Sequence, residues 1–239
     1  MIAHDPSLVI LSITISMLGA FTACVMMSNL RALGGGERGV RITMATVTLG
    51  GSLWAMHFVG LLSLDAPLNF ALNPLLLAAS AACAFLGAGA ALFLLGGAER
   101  SYRARLPYAV AIFGAAIALM NYLGVAAIAG RGLNLSWFLT VVGVAVSIQV
   151  ASFTLWFLFR RRGVIVTLIG SLALGLCLSA THYLAIASTQ GLDQTLLALP
   201  PYDSGISERY LAWSATIMMY LTCSICLCVF VIAQFRDET

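Results

Sequence analysis

Seven apolar runs follow one another along the 239 residues, each close to the roughly 20 residues that a helix needs to cross a hydrocarbon core. That repetition limits the chain to an all-α membrane protein, because outer-membrane strands would read as short alternating segments instead. With 61% hydrophobic and 9% charged residues, and a mean hydropathy of +1.00, a water-soluble domain is excluded. The runs place helices at about 7–29, 40–64, 73–96, 107–129, 136–159, 164–187 and 210–234, forming a single transmembrane domain over 1–239. Gly34, Gly35 and Gly36 separate the first two, Pro74 and Pro107 stand near helix starts, and Pro200-Pro201 lies in the longest loop.

The net charge of +3 comes from arginine, since the chain has no lysine, and the arginines report topology, with no nucleic acid as partner. Ten of them (Arg31, Arg38, Arg41, Arg100, Arg103, Arg105, Arg160, Arg161, Arg162 and Arg236) fall on one side of the bilayer, and only Arg131 and Arg209 on the other. The positive-inside rule then puts the N-terminus outside and the C-terminus in the cytoplasm. The opening Met1-Ile2-Ala3-His4-Asp5 has no basic n-region, so the first helix is expected to be retained. Cys24, Cys83, Cys177, Cys223, Cys226 and Cys228 all sit in apolar runs and read as small packing residues.

Within the second run, Trp54-Ala55-Met56-His57-Phe58-Val59-Gly60 interrupts the apolar pattern with imidazole, indole and thioether. Leu119-Met120-Asn121-Tyr122-Leu123-Gly124 and Ala180-Thr181-His182-Tyr183-Leu184-Ala185 occupy corresponding places in the fourth and sixth runs, with centres 64 and then 61 residues apart. Seven positions before the centres stand Gly50, Gly114 and Gly175; three positions after them stand Gly60, Gly124 and Ala185. The pattern predicts three helical hairpins plus a seventh helix, with small residues letting helices 2, 4 and 6 approach closely. All three centres fall at similar depth, about 6 to 10 Å below the outer boundary at 1.5 Å rise per residue.

Polar side chains cost about 2 to 3 kcal/mol in hydrocarbon, so His57, Asn121 and His182 should face the bundle interior. Two readings of the layer remain open. One is an interhelical hydrogen-bond cluster of His, Asn, Thr and Tyr, worth about 0.6 kcal/mol per bond. The other is a metal site, since imidazole with thioether suits copper. The chain's three histidines, His4, His57 and His182, all belong to the outer side, and a metal set would comprise His57, His182, Met56, His4 and Met120. Asn121, Thr181, Tyr122, Tyr183 and Trp54 would surround it as a supporting polar layer. His4 is expected to fold over the outer end and complete a three-histidine set.

The segments Met56-His57-Phe58, Met120-Asn121-Tyr122 and Thr181-His182-Tyr183, with the opening His4-Asp5-Pro6, resemble the MHYT domain, a bacterial integral-membrane sensory module. The resemblance implies copper held by motif Met and His residues, a diatomic gas (O2, CO or NO) as the sensed ligand, and output through cytoplasmic cyclase, phosphodiesterase or kinase domains. It also implies the bacterial inner membrane, with the lipid bilayer as surroundings and a homodimer as one assembly open to the chain. Asn121 stands where the family has His, and Thr181 where it has Met, which removes two soft ligands. After the seventh helix only Arg236-Asp237-Glu238-Thr239 follow, so output is expected from a domain outside this chain or from a partner, and no enzymatic activity from the chain itself. A metal or proton transporter is the alternative reading, opposed by the lack of acidic residues inside the spans. A membrane metalloenzyme ranks below both, since no paired carboxylates or nucleophile–base pair occur.

Overall fold

A computed structural model describes residues 3–65, 73–97, 101–129, 134–160, 163–190 and 208–237. Its seven long helices are α1 (Pro6–Met27), α2 (Gly35–Leu62), α3 (Pro74–Gly96), α4 (Tyr102–Ala129), α5 (Trp137–Leu158), α6 (Val164–Ser188) and α7 (Glu208–Asp237). All seven are long and apolar enough to cross a membrane. Two of them start earlier than the apolar pattern suggests. Gly35 and Gly36 already belong to α2, and Pro107 lies inside α4, beyond its first turn.

The helix starts are written in local chemistry. Pro6 and Pro74 occupy first-turn positions where the missing N–H costs nothing, and the residues before them cap the free amides. Asp5 Oδ1 accepts from the Ser7 amide at 2.9 Å, and Asn73 Oδ1 accepts from those of Leu75 and Leu76 at 3.1 and 3.2 Å. At the opposite end of α1, Asn29 takes a left-handed conformation (φ 54°) that lets a 3-10 turn over Leu30–Ala32 lead into α2.

Three backbone hydrogen bonds close the hairpins at the end that carries the motifs. The amide of Asp5 donates to Ser63 O (2.7 Å), that of Asn73 to Ala127 O (3.0 Å), and that of Ser136 to Ser188 O (2.8 Å). Each acceptor stands six residues beyond a motif centre, and each donor immediately precedes an odd-numbered helix. Two of these clasps continue as two-residue antiparallel bridges: β1 (Ala3–His4) on β2 (Leu64–Asp65), and β3 (Asn134–Leu135) on β4 (Thr189–Gln190).

Helices α1 to α6 pack as a closed ring in chain order, α6 returning onto α1, while α2, α4 and α6 also touch one another at its centre. The glycines seven residues before the centres make the outward contacts. A Cβ on Gly50 would meet the backbone of Ala84 and Phe85 in α3, one on Gly114 that of Ile148 in α5, and one on Gly175 that of Met17 in α1. Ser16 Oγ also donates to Gly175 O at 3.1 Å, tying α1 to α6. These glycines therefore let each inner helix reach the next hairpin, whereas close approach among helices 2, 4 and 6 was the expectation. Helix α7 packs outside the ring on α1 and α2, with the Met219 sulfur against Gly51. Within the apolar window of α2, 83% of residues are buried, against 28% for α7, so α2 is central and α7 peripheral.

Candidate functional site

Six residues inward from the clasps, His57 of α2 and His182 of α6 meet with no solvent exposure. Their Nδ1 atoms lie 2.7 Å apart and their rings are nearly perpendicular (87°), with centroids 4.7 Å apart. A bond between two like nitrogens requires that one Nδ1 carry the proton and the other accept it. Two neutral rings must then be opposite tautomers, so one Nε2 is a donor and the other an acceptor. Among the described residues no group of three or more His, Cys, Asp or Glu side chains gathers here.

The small residues three positions after the centres hold these rings in place. A Cβ on Gly124 of α4 would fall on His57 Nε2, and one on Gly60 of α2 would fall on His182 Nε2. Each imidazole thus occupies the room of a missing side chain on the next inner helix. The sequence shows these glycines as a helix seam; their use as sockets for the histidines needs the three-dimensional arrangement.

Asn121 of α4, 1% exposed, lies beside the His57 imidazole. Its Nδ2 donates to Thr181 Oγ1 at 3.2 Å, and that hydroxyl donates to Leu178 O at 2.7 Å, so Asn121 links the centres of α4 and α6. Met56 and Met120 are fully buried in the common core. Tyr183 brings its hydroxyl to 3.4 Å from Ser12 Oγ of α1 and close to Ser63, the residue that ends α2. Tyr122 brings its own to 3.4 Å from Ser188 Oγ of α6 and against Gly143 of α5. Trp54 stacks parallel on Phe58, with ring centroids 5.4 Å apart. The backbone of His4 pairs with Leu64 over the end of α2, but its side chain lies outside the described residues, and so does the three-histidine expectation.

Of the expected residues, the structure joins His57, His182, Asn121 and Thr181 into one buried cluster and sets Tyr122 and Tyr183 around its rim. The seryl partners Ser12, Ser63 and Ser188 are additions. A sequence signal for them exists: Ser63 and Ser188 share the sixth position after a motif centre. Ser179, on the same helix as His182, donates instead to Gly175 O at 2.9 Å.

Residues 50–107 match the family model MHYT, described as a bacterial signalling protein N-terminal repeat. The match runs from Gly50 through His57 and α3 into α4. Across 197 residues, 79% of this chain, the sequence is 29% identical to the bifunctional diguanylate cyclase/cyclic di-GMP phosphodiesterase MucR of Pseudomonas aeruginosa, of which it covers 28%. It is 28% identical over 153 residues (63% of this chain) to an uncharacterized signaling protein of Caulobacter vibrioides, covering 18% of it. It is 22% identical over 232 residues (93% of this chain) to the signaling protein YkoW of Bacillus subtilis, covering 28% of it. The chain therefore spans less than a third of the length of these relatives. No solved structure matches it.

Proposed function

We propose that this chain, whose residues 50–107 match the MHYT model of bacterial signalling proteins, is a multi-pass membrane input module that binds copper at the His57–His182 pair. The observation that carries this reading is the convergence of two fully buried imidazole nitrogens at 2.7 Å. The residues present fit the metal on chemical grounds. The imidazoles of His57 and His182 are neutral donors, and the thioethers of Met56 and Met120, one residue before the centres of α2 and α4 and buried in the same core, are neutral donors as well. A buried set of neutral, partly soft ligands favours a singly charged soft ion over a divalent ion, which would bring two uncompensated charges. Copper bound there supplies a redox-active centre able to take a diatomic gas such as O2, CO or NO.

The protein's own residues then have distinct tasks. His57 and His182 bind, and Gly124 and Gly60 fix where the rings lie. Asn121, through Thr181, holds the α4 centre against α6. Tyr122, Tyr183 and Trp54 wall the layer. The three hairpins α1–α2, α3–α4 and α5–α6 act as repeats around it. With its arginine-rich end in the cytoplasm, in the bacterial inner membrane, the site lies near the outer face, and displacement of the rings is passed through α2 to α7. By analogy with the cyclase and phosphodiesterase named for the Pseudomonas relative, the output is second-messenger turnover in a domain beyond this chain or in a partner.

Metal analysis of protein purified without chelator and offered Cu(I) tests the proposal. Wild-type protein retains copper, while His57→Ala, His182→Ala and the double variant lose it. Equal copper in wild type and double variant reduces the layer to a structural cluster. If copper binds but crosses the bilayer of protein-loaded liposomes, a transporter replaces the sensor.

A further inference from the structure

The tyrosines just after the motif centres follow one rule. Tyr183 of α6 reaches forward to the first hairpin, at Ser12 and Ser63, and Tyr122 of α4 reaches forward to the third, at Ser188 and Gly143. In the remaining copy, on α2, the same position is Phe58, which has no hydroxyl to give. Its counterpart partners on the second hairpin are Ala127, six residues after Asn121, and Ser80, seven residues after the Asn73 cap. Ser12 likewise stands seven residues after the Asp5 cap.

Ser80 Oγ is fully buried and has no hydrogen-bond partner among the described residues. The buried hydroxyls of Ser147, Thr154, Ser171 and Ser179 instead donate to carbonyls of their own helices. The antiparallel register of α2 on α3, fixed where Gly50 meets Ala84 and Phe85, sets Trp54 level with Ser80. Trp54 Nε1, a donor that cannot accept, is also buried without a partner among the described residues. Unsatisfied buried donors cost about 1 to 3 kcal/mol each, so two on opposed faces of one seam point to a ligand that satisfies both.

We propose that the α2–α3 seam at Trp54, Phe58 and Ser80 binds one small neutral molecule, of water or diatomic size, through an acceptor atom that takes the Trp54 indole N–H and the Ser80 hydroxyl. Such a molecule sits one turn or less along α2 from His57. The placement deepens the sensor reading, which makes a small ligand arrive at the imidazole pair, but the site itself rests on the α2–α3 register and on the absence of a tyrosine hydroxyl.

The test uses the full chain, metal-free, in lipid nanodiscs with 15N-labelled tryptophan, the Trp54 indole signal being identified by its loss in Trp54→Phe. Under nitrogen, magnetisation transfer from water to the Trp54 indole identifies water as the occupant. A Trp54 shift on adding carbon monoxide, without water transfer, identifies a diatomic occupant. Either signal is lost in Phe58→Tyr, whose new hydroxyl reaches Ser80 as Tyr183 reaches Ser12, and is kept in Phe93→Tyr, which adds its hydroxyl at an exposed position of α3. Ser80→Ala weakens it. Absence of both signals in the wild type overturns the proposal, and so does a signal unchanged in Phe58→Tyr. Copper content, measured separately on the same preparations, decides the fate of the metal reading independently, since the indole signal requires no metal.

Discussion

The imidazoles of His57 and His182 form a hydrogen bond of 2.7 Å between α2 and α6, residues 125 apart in sequence. Because each ring is seated against a glycine of another segment, the bond depends on the whole ring of hairpins.

Breaking that bond leaves one buried nitrogen without its partner. His57→Ala and His182→Ala should each destabilise the bundle by about 1 to 3 kcal/mol, and the double variant by less than the two together, since the second loss finds the bond already gone. Thermal or denaturant unfolding of the four proteins in matched detergent supplies the cycle. Strict additivity would mean that the rings do not interact.

Gly124→Ala and Gly60→Ala test the sockets. The new methyl groups collide with His57 Nε2 and His182 Nε2, so the rings must turn away, with overpacking costs of about 1 to 3 kcal/mol. Copper retention should fall in both variants. Gly36→Ala and Gly39→Ala, where a Cβ meets nothing within 4 Å, should retain copper as the wild type does.

The outward glycines should show a ranking. A Cβ at Gly114 comes to 2.8 Å from Ile148 Cα, and one at Gly175 to 2.7 Å from Met17 backbone atoms, but at Gly50 the closest approach is 3.0 Å, to Ala84 O. Gly114→Ala and Gly175→Ala are therefore expected to lower the unfolding midpoint more than Gly50→Ala. Equal losses at the three sites would show that backbone contact is not what limits them.

Asn121 and Thr181 link the centres of α4 and α6 through one side-chain hydrogen bond. Asn121→Leu with Thr181→Val should give a coupling of about 0.6 kcal/mol, the average for such bonds in membrane bundles. A coupling of zero would reduce Asn121 to a space filler.

At the arginine-rich end, the Arg41 guanidinium lies 4.5 Å above the Phe230 ring and donates to Ser28 O at 3.2 Å. This joins α7 to the α1–α2 hairpin beside a cavity of about 330 Å³ lined by Met26, Val40, Met44 and Val229. Phe230→Leu should weaken the attachment by about 0.5 to 1 kcal/mol. Broadened spin-label distances between α2 and α7 would report it, and an unchanged distribution would assign the anchorage to Met219 on Gly51 instead.

The helices were legible because apolar length is a one-dimensional property, and so were His57, Asn121 and His182, because polar residues in hydrocarbon must turn inward. What each of them touches was not legible. The sequence pairs each motif with its own downstream glycine, whereas in space His57 meets Gly124 and His182 meets Gly60, a relation that exists only between copies. The short bridges β1–β2 and β3–β4 involve two residues each, too few to give a periodic signal. The early start of α2 reflects a glycine pair that the ring tolerates at a helix N-terminus, where a sequence reading naturally sees a break.

The three amide-to-carbonyl clasps have a mechanical meaning. They pin both members of every hairpin at one end, so a disturbance beside His57 finds a fixed fulcrum six residues away at Ser63. From there α2 extends about 33 Å to Arg41 at 1.5 Å per residue, and a tilt of about 2° would move that arginine by about 1 Å while hardly shifting the clasp. The bundle is a lever with its short arm at the imidazoles, and the aromatic ring of Phe230 rests on its long one.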